Sequence, residues 1–179
     1  MKKTITFLAI LTVMISTIVI SAEVFGGKWN SSPQYYVSTT NVYYSNVNSG
    51  ASRWNTQLAA INANISIQTT TLINASVLVT TSAYGDIGWN ALTSIGPNRD
   101  SGYYSYGSIK LNSTYMYNYT SAKRSAICTH EWGHILGIAH TMSDDYESLM
   151  FFLGSSIYYD QWGVYSPTPY DIDTLNSIY

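Results

Sequence analysis

The sequence has few charged residues, and its basic residues form no run. Lysine and arginine together number 8 and aspartate and glutamate 10 in 179 residues, which gives a formal net charge of −2. Proteins that bind nucleic acid carry a basic face or stripe that contacts phosphates. Because this chain has no such stripe, its composition argues against a nucleic-acid partner.

Cysteine occurs once, as Cys128, so intramolecular disulfide bonds are excluded. Cys128 fits a small buried hydrophobic residue better than a reactive thiol. The chain also has no internal repeat and no linker-like stretch. Its length suits one domain with a core of its own. Stability must then come from that core and from any bound metal.

The N-terminus predicts a secretory signal peptide. Lys2 and Lys3 precede an almost unbroken apolar run, Ile5–Ile20, and small residues follow up to Ala22. A membrane anchor is the alternative, but the run is short for a bilayer span and no charge cluster follows it. We expect cleavage after Ala22 and a secreted, extracellular domain over 23–179, without stable membrane association. The double lysine and the lack of disulfides are typical of a bacterial exported protein.

Histidine is also scarce, and all three histidines lie in the pattern H-E-x-x-H-x-x-G-x-x-H. His130 and His134 are one helical turn apart, so their rings share a face. Gly137 can adopt a positive φ, which lets the chain leave the helix sharply and bring His140 back as a third ligand. Three protein ligands with one open position are typical of a catalytic zinc site.

Two simpler explanations of the motif are weaker. A bare H-E-x-x-H arises by chance, and a lone histidine is more often a core or surface residue than a ligand. Both explanations leave the glycine and the third histidine as coincidences. With zinc bound, Glu131 would lie beside the metal without ligating it, as general base for a water whose pKa zinc lowers.

The extended motif resembles that of the metzincin clan of zinc endopeptidases, which also have a methionine turn beneath the metal. Met150, in the segment Ser148-Leu149-Met150, is the candidate for that turn. Met150 could also be an ordinary core methionine, and the two roles are compatible. Met142 is the weaker candidate for the turn, because it lies too close to His140 to leave room for a loop. The resemblance implies an α+β fold: a twisted, mostly parallel sheet, a zinc helix, a Met-turn and a C-terminal helix.

Within the clan the chain is most similar to the matrixins. Three stretches carry this likeness: Lys28–Trp29, Ser108–Asn112 and Asp171–Tyr179. The resemblance implies a protein or peptide substrate that pairs as an extended strand with a sheet edge near Ile109–Leu111. The chain departs from matrixins in having no histidines left for a second, structural zinc. It also has Phe152 where some metzincins place a tyrosine.

The periodicity and turn residues predict the remaining elements. Thr168 is the expected N-cap of a final helix, with Pro169 at its first position and Asp171 three residues after the cap. The other expected elements are strands over 34–38, 64–69 and 75–81, a strand or hairpin over 102–114, helices over 48–60 and 121–136, and a loop over 84–101.

Calcium is a weaker expectation than zinc. Asp86, Asp100 and the acidic run 144–147 offer oxygen ligands, but acids in a solvated loop are the better explanation.

Three functions compete at this point. We favour a monomeric, secreted zinc endopeptidase. The alternatives are a metzincin-fold binding module without catalysis and a zinc hydrolase that cleaves an amide in a non-peptide substrate. The intact Glu131 argues against the binding module, and the clan resemblance argues for peptide bonds.

Overall fold

The computed structural model describes residues 24–96, 102–142, 148–152 and 155–179. The predicted signal peptide, Asp100 and the acidic run 144–147 lie outside these ranges. Among the described helices, none has both the length and the apolar content needed to cross a bilayer.

Within the described residues, seven strands form two sheets. They are Lys28–Trp29 (β1), Gln34–Tyr36 (β2), Gln68–Thr69 (β3), Val77–Ser82 (β4), Ala91–Gly96 (β5), Tyr103–Tyr104 (β6) and Tyr106–Asn112 (β7). The main sheet has the order β3-β2-β4-β7-β5, with every pairing parallel except that of β5 with β7. The strands β1 and β6 form a separate parallel pair.

Five α-helices accompany the sheets in the part of the chain that the structure describes. They are Tyr44–Ala60 (α1), Ser113–Met116 (α2), Ser121–Ile135 (α3), Ser155–Trp162 (α4) and Pro169–Ile178 (α5). The predicted fold class is therefore confirmed: the protein is α+β with a mostly parallel sheet, as in a metzincin-like catalytic domain.

The helix α3 is fixed in the core by two buried tryptophans. The indole N–H of Trp54, on α1, donates to the carbonyl of Thr129 at 2.6 Å, and that of Trp132 donates to the carbonyl of Val47 at 3.0 Å. The Trp132 ring also packs edge-on against Tyr35 of β2. Both indoles are fully buried with their donors satisfied, so α3 has a defined position between α1 and the sheet.

The helix α1 begins four residues before its predicted start. The Asn41 side chain accepts the N–H of Tyr43 at 2.9 Å, just ahead of the first turn. The turn itself is rich in asparagine and serine, which favour loops in isolation. Burial of Val47 and Asn46 against α3 overrides that preference.

The predicted strand 64–69 is mostly wrong, since only Gln68–Thr69 pair with a neighbour. The alternation is real, because Ile65 and Ile67 are buried. However, the side chain of Asn55 hydrogen-bonds both the N–H and the C=O of Ile67, at 2.7 and 2.9 Å. These bonds take the place of a strand partner.

The predicted loop over 84–101 is confirmed at 84–90 and wrong at 91–96, which form β5; residues 97–101 lie outside the described ranges. The sequence predicts a loop here because of the glycines at 85 and 88 and the short polar residues of β5. The strand is stabilised instead by its pairing with β7. The strand β7 is consequently interior, with β4 on its other side. The predicted pairing of a substrate with Ile109–Leu111 is therefore excluded, and the described sheet ends with β3 on one side and β5 on the other.

Candidate metal centre

The three histidines converge through one helix and the turn that ends it. His130 and His134 lie on successive turns of α3. After the helix, Gly137 has a φ of +98°, and two bonds close a Schellman motif: Gly137 N–H to His134 C=O at 3.0 Å and Ile138 N–H to Gly133 C=O at 3.1 Å. A Cβ on Gly137 would also meet the carbonyl of Gly27 at 2.8 Å. The turn returns His140 to the other two rings.

The ring nitrogens have the geometry of a metal site. The Nε2 atom of His140 lies 3.1 Å from the Nε2 atoms of both His130 and His134. A tetrahedral zinc ion with Zn–N bonds of about 2.0–2.1 Å needs nitrogens about 3.3–3.4 Å apart. Among the described residues, these three form the one group of metal-ligating side chains close enough to share an ion.

Hydrogen bonds at the opposite ring nitrogens select the ligating tautomer. The Nδ1 atom of His130 lies 2.7 Å from the Leu149 carbonyl, and that of His134 lies 2.8 Å from the Ile138 carbonyl. A carbonyl only accepts, so each Nδ1 carries the proton and each Nε2 presents a lone pair. The Nε2 atoms of His130 and His134 both lie near Nε2 of His140, so one cation could bind all three rings.

Burial keeps the imidazoles neutral. It lowers the pKa of His134 to about 4, and it lowers the pKa of His130 well below its usual range, with His134 nearby adding to the effect. Burial also lowers the pKa of His140, the most exposed of the three. Neutral imidazole is the form that binds a metal.

Glu131 is buried beside the histidines and is anchored at one carboxylate oxygen. The Thr93 hydroxyl of β5 donates to Glu131 Oε2 at 2.6 Å. Burial raises the pKa of Glu131 to about 7, and the bond from Thr93 lowers it in part. A carboxyl group with a pKa in this range can exchange a proton near neutral pH.

Met150, the predicted Met-turn residue, packs against α3 at Gly133. It is fully buried, and its sulfur contacts Gly133 so closely that a Cβ there would overlap it. The buried carboxylate of Asp171, at the start of α5, accepts bonds from Ser148 Oγ at 2.6 Å, Leu149 N at 3.0 Å and Met150 N at 3.4 Å. The segment Ser148–Met150 therefore contacts both α3 and α5.

The predicted capping box at the start of α5 is confirmed. The same Asp171 carboxylate accepts the N–H of Thr168 at 2.8 Å and its hydroxyl at 2.9 Å. Burial raises the pKa of Asp171, which these hydrogen bonds partly oppose.

Cys128 takes no part in the site. It is 2 % exposed within α3, in agreement with its interpretation as a core residue. Burial, with the nearby Glu131 adding to it, raises the pKa of the thiol, so it stays protonated and unreactive at neutral pH.

A cleft of about 360 Å³ opens over the histidines and Glu131. The strand β5 and the segment before it form one side of the cleft. Elsewhere the lining includes the aromatic side chains of Phe25 and Phe152. The further lining residues are Phe25, Gly88, Trp89, Asn90, Ala91, Leu92, Thr93, Ile127 and Phe152.

The main-chain groups at the outer edge of β5 face the cleft side. The carbonyls of Asn90 and Gly96 accept bonds from Asn112 N at 2.8 Å and Ser105 N at 3.0 Å, so the even-numbered residues point toward β7. In an antiparallel ladder the alternate residues point the other way. Those residues are Ala91, Thr93 and Ile95, which none of the described strands covers.

The segment 84–90, which precedes β5, is held by side chains from the start of α2. The fully buried Asn112 accepts the N–H of Tyr84 at 3.1 Å and donates to the carbonyls of Gly85 and Trp89 at 3.0 and 3.2 Å. Asp86, the only described candidate among the calcium ligands, accepts a hydrogen bond from Tyr115.

The residues just before β1 lie against the end of α3. Phe25 N donates to the Gly137 carbonyl at 2.9 Å, and Val24 forms an antiparallel bridge with Ile138. The Phe25 ring lies 5.7 Å from that of His134, so this segment forms one wall of the metal centre.

Sequence reasoning found the three histidines, Glu131 and Met150, which the structure brings together. It missed Thr93 because the turn residues around β5 predict a loop, and it missed Phe25 because nothing local links that residue to the motif. The run Ala91–Gly96 does not alternate apolar and polar residues, so no local sequence signal pointed to β5.

Comparison with known proteins supports the site. The family model for pregnancy-associated plasma protein-A, Peptidase_M43, matches residues 92–150, about a third of the chain. The match runs from β5 through the histidines to Met150. No significant match was found among curated proteins.

The family match supports the metzincin clan, and together with the histidine cluster it suggests a zinc metallopeptidase. The match supports the clan and not the matrixin subtype, so the likeness to matrixins stays a prediction from the sequence.

Proposed function

We propose that this protein is a secreted zinc endopeptidase that hydrolyses peptide bonds with Glu131 as the general base. One observation carries the proposal: three neutral imidazoles and a buried carboxylate form the floor of a cleft that an uncovered strand edge borders. Secretion follows from the predicted signal peptide.

The residues present fit a catalytic zinc ion held by His130, His134 and His140. When bound, zinc supplies Lewis-acid chemistry, which acidifies a water molecule and polarises a carbonyl group. Glu131 would take the proton from that water and later deliver it to the leaving amine. Its Oε2 is held by Thr93, while its Oε1 has no hydrogen-bond partner among the described residues and is available for this transfer.

The uncovered edge of β5 favours an extended peptide as the substrate. Its main-chain groups at Ala91, Thr93 and Ile95 would pair with the peptide backbone by strand addition. Such pairing depends on the backbone and places a peptide bond over the metal centre. The strand edge supports a peptide substrate over a small non-peptide amide, and Glu131 beside the three histidines supports hydrolysis over binding without turnover.

Cleavage of denatured casein tests the proposal. The purified protein should digest casein, lose this activity on chelation and regain it with stoichiometric zinc. The His134→Ala variant, prepared in the same way, should remain inactive with zinc, which excludes a contaminating protease. A zinc-loaded wild-type protein that cleaves neither casein nor any peptide would contradict the proposal.

A further inference from the structure

One side chain of β5, that of Thr93, hydrogen-bonds the Glu131 carboxylate. Thr93 lies outside the histidine motif. The Thr93 hydroxyl lies 2.6 Å from Glu131 Oε2 and 3.3 Å from the Glu131 carbonyl oxygen. A hydroxyl has one proton, and the shorter distance assigns that proton to the carboxylate. Thirty-eight residues separate the two in the sequence, so only the tertiary fold brings them together.

A glutamate side chain has three rotatable bonds and needs fixing if its carboxylate is to act at one place. Glu131 is 6 % exposed, and within the described residues Thr93 is the one side chain that hydrogen-bonds its carboxylate. Charge-assisted hydrogen bonds of this kind are short and strong. Removing the bond would free the carboxylate to change rotamer toward the cleft.

The main chain of Thr93 points to the uncovered edge of β5, while its side chain points to α3. One residue therefore borders the position expected for the peptide and also holds the general base. A shift of β5 would move both groups together.

We propose that Thr93 is a positioning residue for catalysis, which holds Oε2 of Glu131 so that Oε1 faces the water to be deprotonated. This inference rests on the peptidase function proposed above. It predicts that the hydroxyl contributes to turnover far more than to substrate binding, because a misplaced catalytic group can cost about 10²-fold in rate.

The test compares Thr93→Val, Thr93→Ser and the control Ser94→Ala in zinc-loaded protein with a fluorogenic peptide. Valine keeps the shape of threonine and removes the hydroxyl, and serine keeps the hydroxyl. Ser94 is an exposed hydroxyl on the opposite face of the same strand. We expect kcat to fall about 10- to 100-fold in Thr93→Val with KM within about twofold of wild type. Thr93→Ser should stay within about threefold, and Ser94→Ala should match wild type.

Zinc content and crystal structures complete the test. Thr93→Val should bind one zinc per chain, and its Glu131 carboxylate should be displaced or adopt two rotamers. A wild-type kcat in Thr93→Val, equal losses in the valine and serine variants, or a rise in KM alone would overturn the inference. If the wild type itself lacks turnover, the proposed function fails, and the crystal structures still decide whether Thr93 positions Glu131: an unmoved Oε2 in Thr93→Val refutes it.

Discussion

His130 and His134 each donate a hydrogen bond from Nδ1 to a main-chain carbonyl, and those carbonyls belong to different parts of the fold. Leu149 precedes Met150, and Ile138 follows the Gly137 turn. The tautomer and ring plane of each ligand are consequently set by the same segments that build the site. Such preorganisation reduces the conformational cost of binding a metal.

The lowered pKa values of the histidines predict that zinc binding resists mild acid. A lowered pKa means that each ring stays neutral until the pH falls to that lower value, and burial lowers the pKa of His134 to about 4. Between pH 7.5 and 6.0 the zinc affinity should therefore change by less than about threefold. Three histidines with an ordinary pKa of about 6.5 would lose about 50-fold. Competition with a chromophoric chelator at each pH measures this, and the larger loss would contradict the burial argument.

At the scale of elements, α5 and the Met-turn form one polar unit beneath the metal helix. The carboxylate of Asp171 receives five hydrogen bonds, from Ser148, Leu149, Met150 and both donors of Thr168. Leu149 in turn accepts the bond from His130. The position of a ligand therefore depends on a helix that does not itself reach the cleft.

Replacing Asp171 should destabilise the protein. Asp171→Ala leaves several buried donors without an acceptor, each costing about 1–3 kcal/mol, and should lower the free energy of unfolding by at least about 3 kcal/mol. Asp173→Ala, an exposed acid on the same helix, is the matched control and should change it by less than about 0.5 kcal/mol. Urea denaturation measures both. Equal effects in the two variants would show that the buried network is not what stabilises the turn.

The contrast between α3 and β5 shows what the sequence could predict. The site from His130 to His140 is local: helical periodicity places two rings, and one glycine places the third. The strand β5 depends on its pairing with β7 and on a preceding segment held by Asn112, a contact across more than twenty residues. Periodicity within a short window carries no information on such partners, so the edge strand and the Thr93–Glu131 bond became visible only in the folded structure.

At the scale of the whole molecule, a bound metal would join α3 to the turn after it, and distant parts of the chain pack around that unit. The three ligands come from α3 and the turn after it, which contact the segment before β1 and the Met-turn. A chain without disulfides gains from such a link, because a ligand that binds only the folded state stabilises that state.

Zinc should therefore raise the thermal stability of the protein. Free zinc at 100 times its Kd should add about 2.7 kcal/mol to the free energy of unfolding, and at 1,000 times about 4.1 kcal/mol. Differential scanning calorimetry at buffered zinc concentrations measures the shift in Tm. His134→Ala should show a Tm that barely depends on zinc. An identical Tm for the chelated and zinc-loaded wild type would contradict the proposed site.

The most direct test of the peptidase proposal is turnover of a broad peptide library by the wild type and by Glu131→Gln, with zinc measured in both. Glutamine keeps the shape of the side chain but cannot act as a base, so the variant should bind one zinc per chain and lose about 10²–10⁴-fold in turnover. Cleavage that disappears in the variant and on chelation would support the peptidase and give its side-chain preference. A Glu131→Gln variant as active as wild type, or a zinc-loaded wild type that cleaves no peptide, would contradict it.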